Sequence, residues 1–337
     1  MTEKTNYELT AAARRHAATP LLENNMKVLT ELVQSEKPTS VALGYFDGVH
    51  RGHAAVIGEA VQCAKENGYV PTVFTLMQSP RTILRGEKSK NIITLDEKLG
   101  ILESMGVELV YLMDFAGIKD ITAEEFVRDI IYGCFNARHA ACGFNYHFGA
   151  GAKGHGFELG EMCGKYGISV FAKHRITMSG SPISSTRIRE CIVNGDIPSA
   201  NEMLGRLYGF RLPVIHGRQL GRTLGTPTIN QEFPEGLVMP LFGVYATSVN
   251  VDGKEYCGVT DIGVKPTVGS DRVLIETWMP DYSGEELYGK TIDIRLIENI
   301  RAEKKFANIN ELKDEIIING RQAKDIFDMY KKSVQTS

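Results

Sequence analysis

Two histidines, His50 and His53, stand three residues apart in the stretch GYFDGVHRGH, residues 44–53, directly after the apolar run SVAL. Gly44 and Gly48 let the backbone turn sharply at a strand end and approach a ligand closely. A helix beginning near Gly52 aims its free N–H groups and the positive end of its dipole at the same place. The two imidazoles then offer ring nitrogens to phosphate oxygens, and fixed donors of that kind stabilise a phosphoryl oxyanion as its charge grows. The plainer reading has His53 capping the helix and His50 on the surface. The strand, glycine turn and helix together favour phosphate chemistry.

Three further stretches carry groups of the same kind. In SPISSTRIRECI, residues 181–192, Ser184 or Ser185 is placed to cap a helix whose free N–H groups would face a phosphate. Arg187 and Arg189 add permanent charge able to grip oxygens in pairs, or are ordinary solvated arginines. The glycine-rich GFNYHFGAGAKGHG holds Asn145 between Phe144 and Phe148, and either shapes a pocket for a flat ring or is a mobile loop. HGRQLGRTLGTPTIN, residues 216–230, spaces Gly217, Gly221 and Gly225 four apart. That is not a Walker A pattern, but exposed glycine N–H groups can form an anion nest. Thr228 and Asn230 offer neutral oxygens two residues apart, which suits a partly hydrated Mg²⁺, or they close a turn on its own backbone. Glu276, inside the apolar run VLIETWMP, is either outward and solvated or half-buried and ready to accept a proton.

Positioning these groups calls for two scaffolds. From Thr39 to about Gly205, SVALGY, VPTVFTL, ELVYLM, HAACGF and ISVFA read as buried strands of a largely parallel sheet. Between them HAAVIGEAVQCAKENG, LDEKLGILESMG and TAEEFVRDIIYG have helical periodicity, with Thr94 and Thr122 as N-caps and glycine at each end. That alternation predicts a Rossmann-like doubly wound α/β domain that binds ligands at the carboxyl ends of its strands. After MLGRLYGFRLP the texture changes. Asp252-Gly253 signals a hairpin, and VLIETWMP and TIDIRLIENI read as strands of an antiparallel barrel or sandwich. A C-terminal helix follows with Leu312, Ile316, Ala323, Phe327 and Tyr330 on one side, weakened by Gly320. The expected division is an extension over 1–25, a first domain over 26–205 and a second over 206–332.

The 337 residues carry a formal net charge of -3, so no basic field exists to hold a nucleic acid or an anionic membrane. Six scattered cysteines without C-x-x-C spacing argue against structural zinc or a disulfide framework. With no secretory h-region and no membrane span, the expected location is the cytoplasm. Self-association stays open.

The ordered motifs carry a resemblance. G-x-F-D-G-V-H-x-G-H, G-F-N-x-x-F-G and I-S-S-T-x-I-R resemble the adenylyltransferase half of the prokaryotic bifunctional riboflavin kinase/FMN adenylyltransferase (FAD synthetase) family. The resemblance implies a nucleotide site from Gly44, Phe46, Asp47, Gly48, His50, His53, Asn145, Ser184, Ser185, Thr186 and Arg189, with AMP passing from ATP to FMN to give FAD and pyrophosphate. G-R-x-x-G-R-x-L-G-x-P-T-x-N, Gly243–Tyr245, GVTDIGVKPT and IRAEKKF resemble the riboflavin kinase half. There the family implies a small antiparallel barrel, Thr228 and Asn230 on Mg²⁺ and nucleotide phosphates, Glu276 as base toward the riboflavin 5′-hydroxyl, a nucleotide-covering glycine loop, and Arg301 near the flavin. Trp278, the single tryptophan, shares Glu276's strand face and suits either an isoalloxazine ring or the core. The chain departs from the family pattern at Met77-Gln78-Ser79-Pro80, where an acidic residue and Pro-His-Pro are usual, at Tyr45, at Ile229 and at Asp261. The first departure raises the alternative of a kinase whose front module has lost adenylyl transfer. A flavin or nucleotide sensor without turnover is the reading from a different class.

Overall fold

The computed structural model describes residues 26–80, 86, 90–217, 225–267 and 270–335. The expected extension over 1–25 lies outside them, as does Gly221. The front half is one parallel sheet of β1 (Lys27–Leu29), β2 (Thr39–Leu43), β3 (Val70–Leu76), β4 (Leu109–Met113), β5 (Ala137–Gly143) and β6 (Ser169–Lys173). Its spatial order is β1-β4-β3-β2-β5-β6, so the chain runs outward from β2 in one direction and returns beside it as β5. Crevices at such a reversal are where open α/β sheets take their ligands. All five strands read from the pattern are present; β1, three residues long on the far edge, is too short for periodicity to reveal. Every residue of β2 is buried, because helices cover both faces of the sheet.

Helix α1 (Arg51–Asn67) closes at Gly68, whose φ of 69° is the left-handed geometry that glycine accepts at a C-cap. Helix α2 (Leu95–Ser104) starts at Thr94, whose Oγ1 accepts the Glu97 N–H at 3.2 Å. The third helix departs from expectation. Thr122 and Glu125 form a capping box for α3 (Ala123–Glu125), but the chain continues in wider π-type turns over Phe126–Cys134 and runs past Gly133. The Phe135 N–H reaches back to Ile130 O, and the widened turn keeps Phe126, Ile130, Ile131 and Phe135 packed in the apolar layer on that face. Helices α4 (Gly156–Gly164), α5 (Ser185–Val193) and α6 (Ile197–Leu204) complete this half.

The rear half is an antiparallel sheet of β7 (Tyr208–Pro213), β8 (Thr228–Glu232), β9 (Gly243–Val251), β10 (Lys254–Thr267), β11 (Ser270–Trp278) and β12 (Thr291–Ala302), ordered β7-β12-β9-β10-β11-β8. Asp252 and Gly253 both have positive φ, the turn their sequence announced. The sheet curls until its edges nearly meet: just beyond β7, Ile215 donates to Asn230 O on β8 at 2.7 Å. This is the small barrel expected. Its outer face is covered by α7 (Ile309–Gln335), which runs unbroken through Gly320. That glycine has a use, since a Cβ there would stand 2.8 Å from the Trp278 ring. Trp278 is half-buried and packs against a small apolar layer of Val259, Ala323 and Phe327.

Candidate active sites

The front site grows from the end of β2. Gly44 donates to Phe74 O at 3.2 Å, and a Cβ on it would lie 2.8 Å from the Phe46 ring. Phe46 itself takes a left-handed φ of 54° and Gly48 one of 76°, so the loop folds into a single tight 3-10 turn over Asp47–Val49. His50 ends that turn and begins α1: its Nδ1 accepts the His53 N–H at 3.2 Å. The cap is thus His50, not His53, and His50 is buried rather than on the surface. Because Nδ1 is an acceptor, the ring proton sits on Nε2. The two imidazoles stack with centroids 3.6 Å apart, and the Phe46 edge abuts His53 at 5.3 Å. Burial pushes His50 down to about 4 and His53 well below the ordinary histidine value. Both are neutral donors at neutral pH.

Asp47 is buried under this loop. Its Oδ1 accepts the Ile92 N–H at 3.0 Å, and its other oxygen pairs with the Arg189 guanidinium. Burial raises its pKa, and the charge on Arg189 pulls the other way. Arg189 also donates from Nε to Lys90 O at 2.8 Å. Ser184 caps α5 by accepting the Arg187 N–H, and Ser185 Oγ donates to Asp47 O at 3.0 Å. Thr186 is exposed in the first turn of the same helix. Arg187 bonds the carbonyls of Met178 and Ser181, a local structural role. Asn145 is exposed just past the end of β5, whose Cys142 is paired with Leu43 of β2. Two helix N-termini, two imidazoles and a guanidinium therefore gather around the loop that follows β2, an arrangement suited to a polyphosphate.

Two contributors escaped the motif reading. Lys98, 5% exposed, donates to Tyr45 O, Thr75 Oγ1 and Leu76 O, each at 3.3 Å. It occupies an inward position of an amphipathic helix with Leu99 and Leu102, and a charge on an apolar stripe is a signal available from the sequence. Arg206 closes the glycine turn by donating to Gly48 O at 2.6 Å and Val49 O at 3.1 Å. It lies far along the chain, and nothing local marks it.

The rear site is a row across the sheet. Asn230 on β8 pairs with Glu276 on β11, Glu276 with Asp261 on β10, Asp261 with Val244 on β9, and Val244 with Arg301 on β12. Directly opposed residues share a face, so Thr228, Asn230, Glu276 and Arg301 lie on one side of the sheet. Glu276 and Thr228 are half-buried, and Asn230 is 4% exposed. Gly217 lies against the Asn230 amide: a Cβ there would fall 2.5 Å from its Cγ and Nδ2. Gly225 has φ 78° ahead of buried Thr226. Arg301 is tied to α7, donating from Nε to Asn319 Oδ1 at 3.0 Å and lying 3.4 Å from Glu315. Asn319, buried on that helix, is a further residue the motifs missed.

Among the described residues Asn230 Oδ1 is buried without a hydrogen-bond partner. A neutral oxygen left without a donor beside the Thr228 position fits a hard divalent cation.

Comparison with known proteins agrees with the two-site reading. The family model for FAD synthetase matches residues 32–187 and that for riboflavin kinase matches residues 204–327. The bifunctional riboflavin kinase/FMN adenylyltransferase of Bacillus subtilis (strain 168) is 37% identical over 309 residues, covering 89% of this chain and 96% of the relative. The protein of the same name from Escherichia coli (strain K12) is 31% identical over 294 residues, covering 86% and 93%. A crystal structure described as a macrolide-efflux protein from Streptococcus pneumoniae superposes with a TM-score of 0.80 at 28% identity, covering 89% of this chain and 98% of that one. No described helix of this chain is long and apolar enough to cross a membrane. With both of its halves matched and relatives above 30% identity along most of its length, the chain belongs to the bifunctional riboflavin kinase/FMN adenylyltransferase family.

Proposed function

We propose an assignment of residues to the two reactions that the family name carries. The chain is a transferase that phosphorylates riboflavin to FMN and then adenylylates FMN to FAD with release of pyrophosphate. Both halves have their own family match, so a kinase with a retired front module is disfavoured.

In the rear half, Glu276 takes the proton of the riboflavin 5′-hydroxyl as that oxygen attacks the terminal phosphorus of ATP. Thr228 and Asn230 would hold Mg²⁺, which supplies charge neutralisation on the phosphates. Gly217 and Gly225 let the backbone beside Asn230 and Thr228 approach the nucleotide, the role assigned to Gly221 belongs to the same proposal, and Arg301 orients the flavin from the α7 side. In the front half, an FMN phosphate oxygen attacks the α-phosphorus. His50 and His53 donate to the oxygens whose charge grows, and the N–H groups after Ser184, with Ser185 and Thr186, hold the phosphate chain. Arg189 braces Asp47 in the loop, while Gly44, Phe46 and Gly48 fix the loop's shape and Asn145, just past the end of β5, contributes to the ATP site. Positioning and charge carry both steps, with no covalent intermediate on the protein. The domain bounds 26–205 and 206–332 and a cytoplasmic location belong to the same reading.

The observation that carries the kinase assignment is the register that sets Glu276 directly beside Asn230. The test is a product assay on riboflavin, ATP and Mg²⁺ resolved into FMN and FAD. Glu276→Gln should abolish FMN formation while sparing FAD formation from supplied FMN; His53→Ala should do the reverse. One substitution silencing both steps in a folded chain would refute the division.

A further inference from the structure

Lys98 is a buried ammonium whose hydrogen-bond partners are all neutral: two backbone carbonyls and a threonine hydroxyl. Among the described residues no carboxylate lies within ion-pair distance of it. Burying a cation with no carboxylate paired to it is costly even with the charge of Asp47 nearby, and a buried group so perturbed beside a cleft is a candidate for function. Its position suggests which anion. Nζ touches the ends of β2 and β3, sits 4.9 Å from the Tyr45 ring and lies beneath the loop that carries Asp47, His50 and His53. We propose that Lys98 is a positioning residue for adenylyl transfer: it ties the ends of β2 and β3 together and supplies, from under the loop, fixed positive charge toward the nucleotide triphosphate. This rests on the front half being the adenylyl-transfer site.

The titratable and charged groups facing Lys98 are Asp47 from the 3-10 turn, His53 from α1 and Tyr45 just past β2, with Arg189 reaching it through Asp47 and His50 through His53. β3 contributes only Thr75 and Leu76. Burial lowers Lys98 to about 8, with Asp47 pulling it back up, while His50 is held near 4 and Tyr45 near 12. Within this cluster Lys98 is therefore the group that loses its proton just above neutral pH. kcat/KM for ATP, which reports the free enzyme, should fall as pH rises through about 8 in FAD formation and not in riboflavin phosphorylation.

The experiment measures both activities of the full chain across pH for the wild type, Lys98→Met and Lys98→Arg. Lys98→Met should lose ~10²-fold in kcat/KM for FAD formation. Riboflavin phosphorylation, carried by a separate site, should stay within about twofold. Lys98→Arg should recover most of the loss and move the alkaline limb upward, since guanidinium stays charged. Unchanged FAD formation in Lys98→Met would overturn the inference, and so would an equal fall in both activities. If neither variant folds, a wild-type profile without the alkaline limb overturns it by itself. A wild type that makes no FAD from FMN would instead sink the reading of the front site, a distinct result.

Discussion

Gly217→Ala tests the metal role proposed for Asn230 without touching a reacting group. A methyl on Gly217 would stand 2.5 Å from both Cγ and Nδ2 of Asn230. Unstrained carbon contacts are about 3.5–4 Å, so one partner must give way by roughly 1 Å. Gly217 does not occupy the left-handed region, so alanine meets no backbone penalty there and the contact alone decides the outcome. Asn230 is poorly placed to yield. It is buried, its strand is laddered to β11 at Glu276, and its carbonyl accepts the Ile215 N–H. Displacing a positioned group by about 1 Å costs on the order of 10²-fold in rate, or roughly 2.7 kcal/mol in the barrier. Riboflavin phosphorylation by Gly217→Ala should therefore fall ~10²-fold in kcat/KM, while FAD formation from supplied FMN stays within about twofold. Chromatographic separation of FMN and FAD reads both at once. Phosphorylation at the wild-type rate would refute the claim that Asn230 must sit where it does.

Acid stability follows from His50. Its folded pKa of about 4 lies below the ordinary 6.5, so its stabilisation is complete above about 6.5 and is lost as pH falls toward 4. The loss should reach about 3 kcal/mol. Urea midpoints at pH 7 and pH 4.5 should diverge more for the wild type than for His50→Asn, which keeps a capping side chain that does not titrate; parallel shifts would exclude the idea. Gly320→Ala tests the helix against the tryptophan. Helix propensity favours alanine by up to about 1 kcal/mol, but a Cβ 2.8 Å from Trp278 overpacks the contact by about 1–3 kcal/mol. The variant should unfold at a lower urea concentration, and a stabilised protein would show that the ring moves freely.

The scaffold was legible where a period of two or of 3.6 runs long enough to be seen. All five strands of the front sheet read from the pattern and the Asp252-Gly253 hairpin stand where the pattern put them. Gly133 misled, because glycine inside a widened π turn looks the same in sequence as glycine that stops a helix; a Cβ there would meet Arg128 O at 3.2 Å, a contact peculiar to that geometry. A motif residue such as His50 was found because its neighbours in sequence are also its neighbours in space. Arg206 and Asn319 were not, since each meets its partners only after long-range packing. The roles within motifs were equally hidden: the plainer sequence reading gives the helix cap to His53, and only the direction of one N–H moves it to His50.

The two places where the front half departs from the family pattern converge in the fold. Tyr45 gives its carbonyl to Lys98 and its hydroxyl to Asn91 Oδ1 at 2.8 Å. Leu76, the last residue before the altered Met77–Pro80 stretch, gives its carbonyl to the same ammonium, and Met77 N–H continues the β3–β4 ladder onto Met113 O. The altered stretch therefore starts from a well-anchored strand end. Asn91 in turn donates to Gly236 O and accepts from Val238 N–H, both at 2.8 Å, while its neighbours Lys90 and Ile92 bond Arg189 and Asp47. Segment 90–92 thus touches the nucleotide loop on one side and the rear half on the other. A hydroxyl at Tyr45 binds the loop to that segment directly, so this residue adds a fastening between the two halves of the chain beside the Met77–Pro80 stretch.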